Sequence, residues 1–124
     1  MATKFYKCNH CGNVVEKVVD SKVPVVCCGE KMEELIPGTV EASHEKHIPV
    51  YRVENNKVYV EVGSVEHPMI PEHFIEWVAV QTKFGNQRRL LTPNTAPKVE
   101  FALVEGDEVV AVYAYCNLHG LWKA

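Results

Sequence analysis

Short runs of β-branched and aromatic residues recur along the chain, broken by Gly, Asn, Asp and Pro. Residues 57–62 are the clearest case. Val58, Val60 and Val62 fall on one face and Tyr59 and Glu61 on the other, the period of two expected of a strand covered on one side. Similar runs occupy 47–53, 74–83, 87–91, 98–104 and 108–115. Turn signals at Glu54-Asn55-Asn56, Phe84-Gly85-Asn86 and Glu105-Gly106-Asp107 separate them. Residues 75–80 are partly apolar at both alternations, which suits a strand buried on both faces and also accommodates a helical turn. No segment carries a convincing amphipathic helix pattern, and no internal repeat is visible. The pattern predicts an all-β sandwich.

The N-terminal part has a different texture. Short strands are predicted at 5–7, 14–19 and 23–26, with a turn at Asp20-Ser21-Lys22. A unit this small buries too little apolar surface to fold on hydrophobicity alone, so it needs a metal, a disulfide or a partner. Pro37-Gly38-Thr39 reads as a linker. The expected organisation is therefore two domains, residues 1–36 and 37–124.

Composition narrows the function classes. Of 124 residues, 47% are hydrophobic and 23% charged, ordinary values for a globular protein. A net charge of −3 leaves no basic footprint, so nucleic acid is not an expected partner. No apolar run approaches about 18 residues, so no membrane span is expected. Met-Ala-Thr-Lys-Phe-Tyr-Lys-Cys has no signal-peptide core, and a cytoplasmic location follows as an expectation. Thiols there stay reduced, which makes clustered cysteines metal ligands before disulfides.

Four of the five cysteines form one set: Cys8-x-x-Cys11, then 15 intervening residues, then Cys27-Cys28. Four thiolates favour a tetrahedral site for iron or zinc. Adjacent side chains on an extended strand point to opposite faces. The backbone at Cys27-Cys28 must therefore turn if both thiols are to reach one ion, and a distorted tetrahedron is expected. His10, inside the knuckle, is expected to face solvent. The second half carries His44, His47, His67, His73, His119 and the fifth cysteine, Cys116. A tight turn can aim Cys116 and His119 at one ion, His67 and His73 bracket a proline-containing loop, and His47 is expected to open a strand. Imidazoles with one thiolate suit iron, copper or zinc and not magnesium or calcium.

Taken together, five stretches resemble the two-iron superoxide reductases, or desulfoferrodoxins: Tyr6-Lys7-Cys8-x-x-Cys11-Gly12-Asn13, Cys27-Cys28-Gly29, Glu45-Lys46-His47, Gly63-Ser64-Val65-x-His67-Pro68-Met69 and Tyr115-Cys116-Asn117-Leu118-His119-Gly120. They span nearly the whole chain. Two departures are Pro-Met-Ile-Pro-Glu between His67 and His73, where the family commonly has acidic and lysine residues, and Leu121 in place of a commoner histidine. The resemblance implies a desulforedoxin-like module followed by an immunoglobulin-like β-sandwich, and two iron ions. Cys8, Cys11, Cys27 and Cys28 would hold the first. His47, His67, His73 and His119 would surround the second, with Cys116 as axial thiolate and Glu45 as the carboxylate of the oxidised state. Lys46 would be the cation beside the open face, and His44 a surface residue. The implied activity is one-electron reduction of superoxide to hydrogen peroxide, with a rubredoxin-like electron donor and a homodimer. Two other readings are a non-catalytic iron electron carrier and a zinc-stabilised binding module.

Overall fold

The computed structural model describes residues 3–124. Backbone proximity divides the chain into two units, one ending at Ile36 and the other beginning at Pro37. The first unit holds β1 (Phe5–Lys7), β2 (Val14–Glu16), β3 (Val26–Cys27), β4 (Glu30–Lys31) and β5 (Glu33–Glu34). β1 lies between β2 and β5, antiparallel to both, while β3 and β4 form a two-stranded hairpin. Strand β2 ends at Glu16, short of the predicted residue 19, because an aspartate gathers the chain into a turn. Asp20 accepts the Lys22 amide and the ammonium groups of Lys17 and Lys4 at 2.9, 3.2 and 3.4 Å. The backbone amide and the two lysines hold its carboxyl well below the usual carboxylate range. β4 and β5 escape a pattern-based prediction because they are charged, with no apolar alternation. Among the described residues of this unit, the buried hydrophobic ones are Phe5, Cys8 and Met32.

The second unit holds one helical turn, α1 (His44–His47), then β6 (Pro49–Glu54), β7 (Lys57–Val62), β8 (Ile75–Thr82), β9 (Gly85–Leu90), β10 (Lys98–Ala102), β11 (Val109–Cys116) and β12 (Gly120–Lys123). Two antiparallel sheets result, ordered β10-β7-β6 and β12-β11-β8-β9. Val58, Val60 and Val62 of β7 and Phe101 of β10 pack with Ile75, Val78 and Val80 of β8 and Val112, Ala114 and Cys116 of β11. Burying each such valine or phenylalanine is worth about 1.5–3 kcal/mol. The predicted sandwich is thus observed. Its β6–β7 turn is a two-residue connection with Asn55 and Asn56 at φ +50° and +61°, the left-handed pair that matches the twist of a hairpin.

Residues 75–80 form a strand buried on both faces, with Trp77 and Ala79 buried opposite Val78 and Val80, and the placement of Ile75 has a local cause. Tyr115 pairs with Trp77, yet Cys116 pairs with Ile75, so Glu76 is an extra residue on β8. This bulge shifts the alternation by one. Ile75 and Val78 thereby share the core face although they are three residues apart. The expectation that His47 opens a strand is corrected. His47 closes the turn of α1, and the strand starts at Pro49. The Ile48 amide reaches the His44 carbonyl at 2.9 Å, completing one turn, and Pro49 forces Ile48 to an extended ψ of 120°. The last strand, β12, was also not expected from the sequence.

Candidate metal centres

In the N-terminal unit the Cys8, Cys11, Cys27 and Cys28 sulfurs all lie within 4.8 Å of one another, and none is paired in a disulfide. The Cys11 and Cys27 sulfurs are 3.6 Å apart and those of Cys27 and Cys28 3.9 Å. Cys28 takes φ +52°, a conformation uncommon for a residue with a side chain, and this turns the adjacent pair onto one point. The electrostatics are those of thiols competing for one negative charge. Amides of Cys11 and His10 lower the Cys8 thiol to about 6. Hydrogen bonding to the Cys11 and Cys8 thiols pushes Cys28 up to about 12. Four thiolates coexist here only around a cation. The Asn13 amide lies 3.6 Å from the Cys27 sulfur, and exposed His10 pairs with Glu30 at 3.1 Å.

In the sandwich, His47, His67, His73 and Cys116 bring ligand atoms within 4.8 Å of one another. Residue Cys116 is fully buried, and His47 and His67 are nearly so. His119 adjoins this group. Its Nδ1 is 3.1 Å from His47 Nε2 and 3.9 Å from the Cys116 sulfur. The four imidazoles follow one another in a ring, each edge-on to the next. Centroids are 4.6 Å apart for His47–His67, 4.7 Å for His67–His73, 5.1 Å for His73–His119 and 4.9 Å for His119–His47, with interplanar angles of 77–85°. Across the ring, His47 and His73 are 6.2 Å apart and only 28° from parallel.

Protonation decides what this ring can hold. His47 Nδ1 donates to the Ser43 carbonyl at 2.6 Å, and His67 Nδ1 donates to the Pro68 carbonyl at 2.7 Å. Each neutral imidazole has one N–H, so both Nε2 atoms carry bare lone pairs. Those two atoms face each other at 3.2 Å. Protonating them is opposed by burial, which lowers His47 and takes His67 down to about 4. His73 is lowered by burial too, and its Nε2 is buried with no hydrogen-bond partner. A cation among these lone pairs removes the repulsion. Nitrogens about 2.1 Å from one ion would stand about 3 Å from their neighbours, so the observed spacings fit a first-row transition metal. Burial raises the Cys116 thiol, while the Leu118 and His119 amides favour its thiolate.

Residues 39–124 match the desulfoferrodoxin family model, and residues 2–35 match the model of the desulfoferrodoxin N-terminal domain. The chain belongs to the desulfoferrodoxin family. A desulfoferrodoxin homologue of Archaeoglobus fulgidus is 45% identical over 119 residues, covering 96% of this chain and 94% of the relative. Desulfoferrodoxin of Nitratidesulfovibrio vulgaris is 45% identical over 121 residues, covering 98% and 94%. The crystal structure of the superoxide reductase from Treponema pallidum is 40% identical with a TM-score of 0.85, covering 100% of this chain and 99% of that one. The two clusters of this desulfoferrodoxin chain thus sit in a fold shared along its full length.

The remaining predicted site residues flank the histidine ring. Lys46 is exposed on α1, and its charge lowers the proton affinity of His47 and His73. Glu45 is also exposed, and its carboxylate is not among the clustered ligand atoms. Its own backbone amide holds it below the usual glutamate range. His44 is exposed and lies edge-on to Trp122 at 5.4 Å. Sequence reading missed the Ser43 and Pro68 carbonyls, which orient two histidines but have no side-chain signature. It also missed Trp122, whose indole N–H bonds the His119 carbonyl at 3.0 Å and whose ring lies 5.0 Å from His47.

Proposed function

We propose that this protein is a superoxide reductase. It takes superoxide, one electron and two protons to hydrogen peroxide at an iron ligated by His47, His67, His73, His119 and Cys116. The observation that carries the reading is the pair of bare Nε2 lone pairs on His47 and His67, facing each other beside a buried thiol. The full-length likeness to the Treponema pallidum superoxide reductase supports it. His119 is the fourth imidazole, because its Nδ1 completes the ring beside His47 and the Cys116 sulfur. The first iron belongs to Cys8, Cys11, Cys27 and Cys28.

Iron held by these residues would supply the transferred electron and a Lewis-acidic point for an anion. The protein's own groups do the rest. Lys46 places a positive charge beside that point and draws in superoxide despite the acidic whole; the local field governs steering. The Lys46 ammonium also orients water as a proton source. Glu45 precedes Lys46 on the same turn and would be the carboxylate of the oxidised site. Burial raises the Cys116 thiol, the Leu118 and His119 amides favour its thiolate, and a bound cation would complete the shift and receive its electron density.

The 1–36 domain is a desulforedoxin-like iron module, and the 37–124 domain is the catalytic one. A rubredoxin-like protein supplies electrons in the cytoplasm, a compartment in keeping with five unpaired thiols. Two copies associate as a homodimer. Strand β6, an edge strand with exposed Val50, Tyr51 and Val53, offers such a contact. Pulse radiolysis of the reduced protein tests the activity. Peroxide should form in one-to-one proportion to oxidised site, without dioxygen. Dioxygen appearing alongside peroxide would mean dismutation instead, and an unreactive reduced protein would leave only an electron carrier.

A further inference from the structure

The four histidines are not held in the same way. His47 and His67 are fixed by their own ring N–H groups on the Ser43 and Pro68 carbonyls. His119 sits in the tight turn after Cys116, and its carbonyl is tied down by Trp122. His73 has no ring hydrogen bond to orient it. Its Nε2 is buried and unpaired, in a loop between β7 and β8 that holds no helix or strand, only a bridge from Ile70 to His73.

What holds that loop is Asn117. Its Oδ1 accepts the Phe74 amide at 2.9 Å, and its Nδ2 donates to the Glu72 carbonyl at 3.0 Å. Its backbone amide donates to the Phe74 carbonyl at 3.2 Å. These bonds fall on the two residues on either side of His73. His73 itself exchanges both backbone bonds with Ile70 at 3.0 Å. The backbone from Glu72 to Phe74 is therefore pinned, and the side chain of Asn117 makes the pin a two-armed bridge. The amide orientation is unambiguous in chemistry. A backbone N–H can only donate and a backbone carbonyl can only accept, so oxygen must face Phe74 and nitrogen must face Glu72. Only asparagine offers both at this reach; aspartate lacks the donor and alanine lacks both.

Asn117 also lies between Cys116 and His119 in the chain. We infer that Asn117 is a positioning residue that locks the His73 loop to the Cys116–His119 turn, so that the Cys116 thiol and the His73 imidazole are set by one side chain. It rests on the reading of the histidine ring as a metal site. Loss of groups that orient metal ligands typically costs about 10–100-fold in metal affinity or activity.

The test uses the full-length, iron-loaded protein with Asn117→Ala and Asn117→Asp. Release of iron from the histidine site to a ferrous chelator is timed, and the electron paramagnetic resonance spectrum of the oxidised site is recorded. The four-cysteine iron in the same chain serves as internal control. Asn117→Ala is expected to release histidine-site iron about 10–100-fold faster and to alter that site's spectrum, with the four-cysteine spectrum unchanged. Asn117→Asp keeps the Phe74 arm alone and should fall between alanine and wild type; it also supplies the reading if the alanine variant does not fold. Wild-type release and spectrum in both variants, even with a lowered melting temperature, would reduce Asn117 to a structural residue. A wild-type protein that holds iron only at the four cysteines would overturn the metal-site reading itself, a result distinct from an unaffected variant.

Discussion

A neutral imidazole has one proton to place, and at His47 and His67 that proton is committed to a backbone carbonyl. The consequence is measurable without iron. His67 is lowered from 6.5 to about 4 in the folded chain, chiefly by burial. The unfolded chain therefore binds more protons between these values, and stability rises with pH across that window. Metal-free protein should lose stability as pH falls from 6.5 toward 4, by about 3 kcal/mol from His67 alone. Chemical denaturation of the metal-free protein at several pH values checks this; a flat profile would contradict the burial argument. Lys46 draws in the anion through its charge, so Lys46→Ala should slow the second-order reaction with superoxide about three- to tenfold and flatten its dependence on ionic strength. Pulse-radiolysis rates equal to wild type at low salt would remove that role. The residues of the two candidate clusters were legible because cysteines and histidines are few and fall in recognisable stretches. The carbonyls of Ser43 and Pro68 were not, since any residue supplies a carbonyl and only the folded path of the chain aims it.

Elements set where those residues point. The turn α1 carries Glu45, Lys46 and His47, and the segment after β7 grips it. The Val65 amide and the Ser64 hydroxyl both reach the Glu45 carbonyl, at 2.9 and 3.2 Å. Gly63 lies so close that a Cβ there would stand 2.5 Å from the Glu45 carbonyl oxygen, 2.9 Å from the Lys46 carbonyl carbon and 3.0 Å from the Ile48 carbonyl oxygen. All three atoms are backbone, so nothing can rotate away. Gly63→Ala should push α1 outward, destabilise the fold by about 1–3 kcal/mol and weaken iron binding at the histidine ring, while leaving the four-cysteine centre loaded. Denaturation together with iron content per site measures both effects, and full occupancy at wild-type stability would show that the turn yields freely. Strands with a clean alternation, such as β7, were readable from the sequence. The bulge at Glu76 was not, because a one-residue shift in pairing with β11 leaves no compositional trace. His47 was misplaced onto a strand for a related reason: a single helical turn is too short to show a period.

At the scale of the whole chain, the two units should depend on metal to different degrees. The sandwich has an extended core from both sheets, with Val58, Val78, Val80, Val112 and Ala114 fully buried. Among its described residues, the first unit has Phe5, Cys8 and Met32 as its buried hydrophobic ones, while Val18, Val19, Val23 and Val26 are exposed. So small a core does not offset the conformational entropy of the 34 described residues, from Thr3 to Ile36, whereas four thiolates on one ion can. The sandwich should therefore outlast the loss of the first iron. Cys11→Ser should empty the four-cysteine centre and unfold the first unit, with the sandwich still folded and its iron retained. Both tryptophans, Trp77 and Trp122, belong to sandwich strands, so intrinsic tryptophan fluorescence reports on that unit alone. The expected record is loss of the four-cysteine optical bands and of amide protection over residues 3–36, with the tryptophan unfolding midpoint shifted little. A midpoint that collapses together with the optical bands would mean that the two units fold as one cooperative body, and that the first iron stabilises the catalytic site as well as its own module.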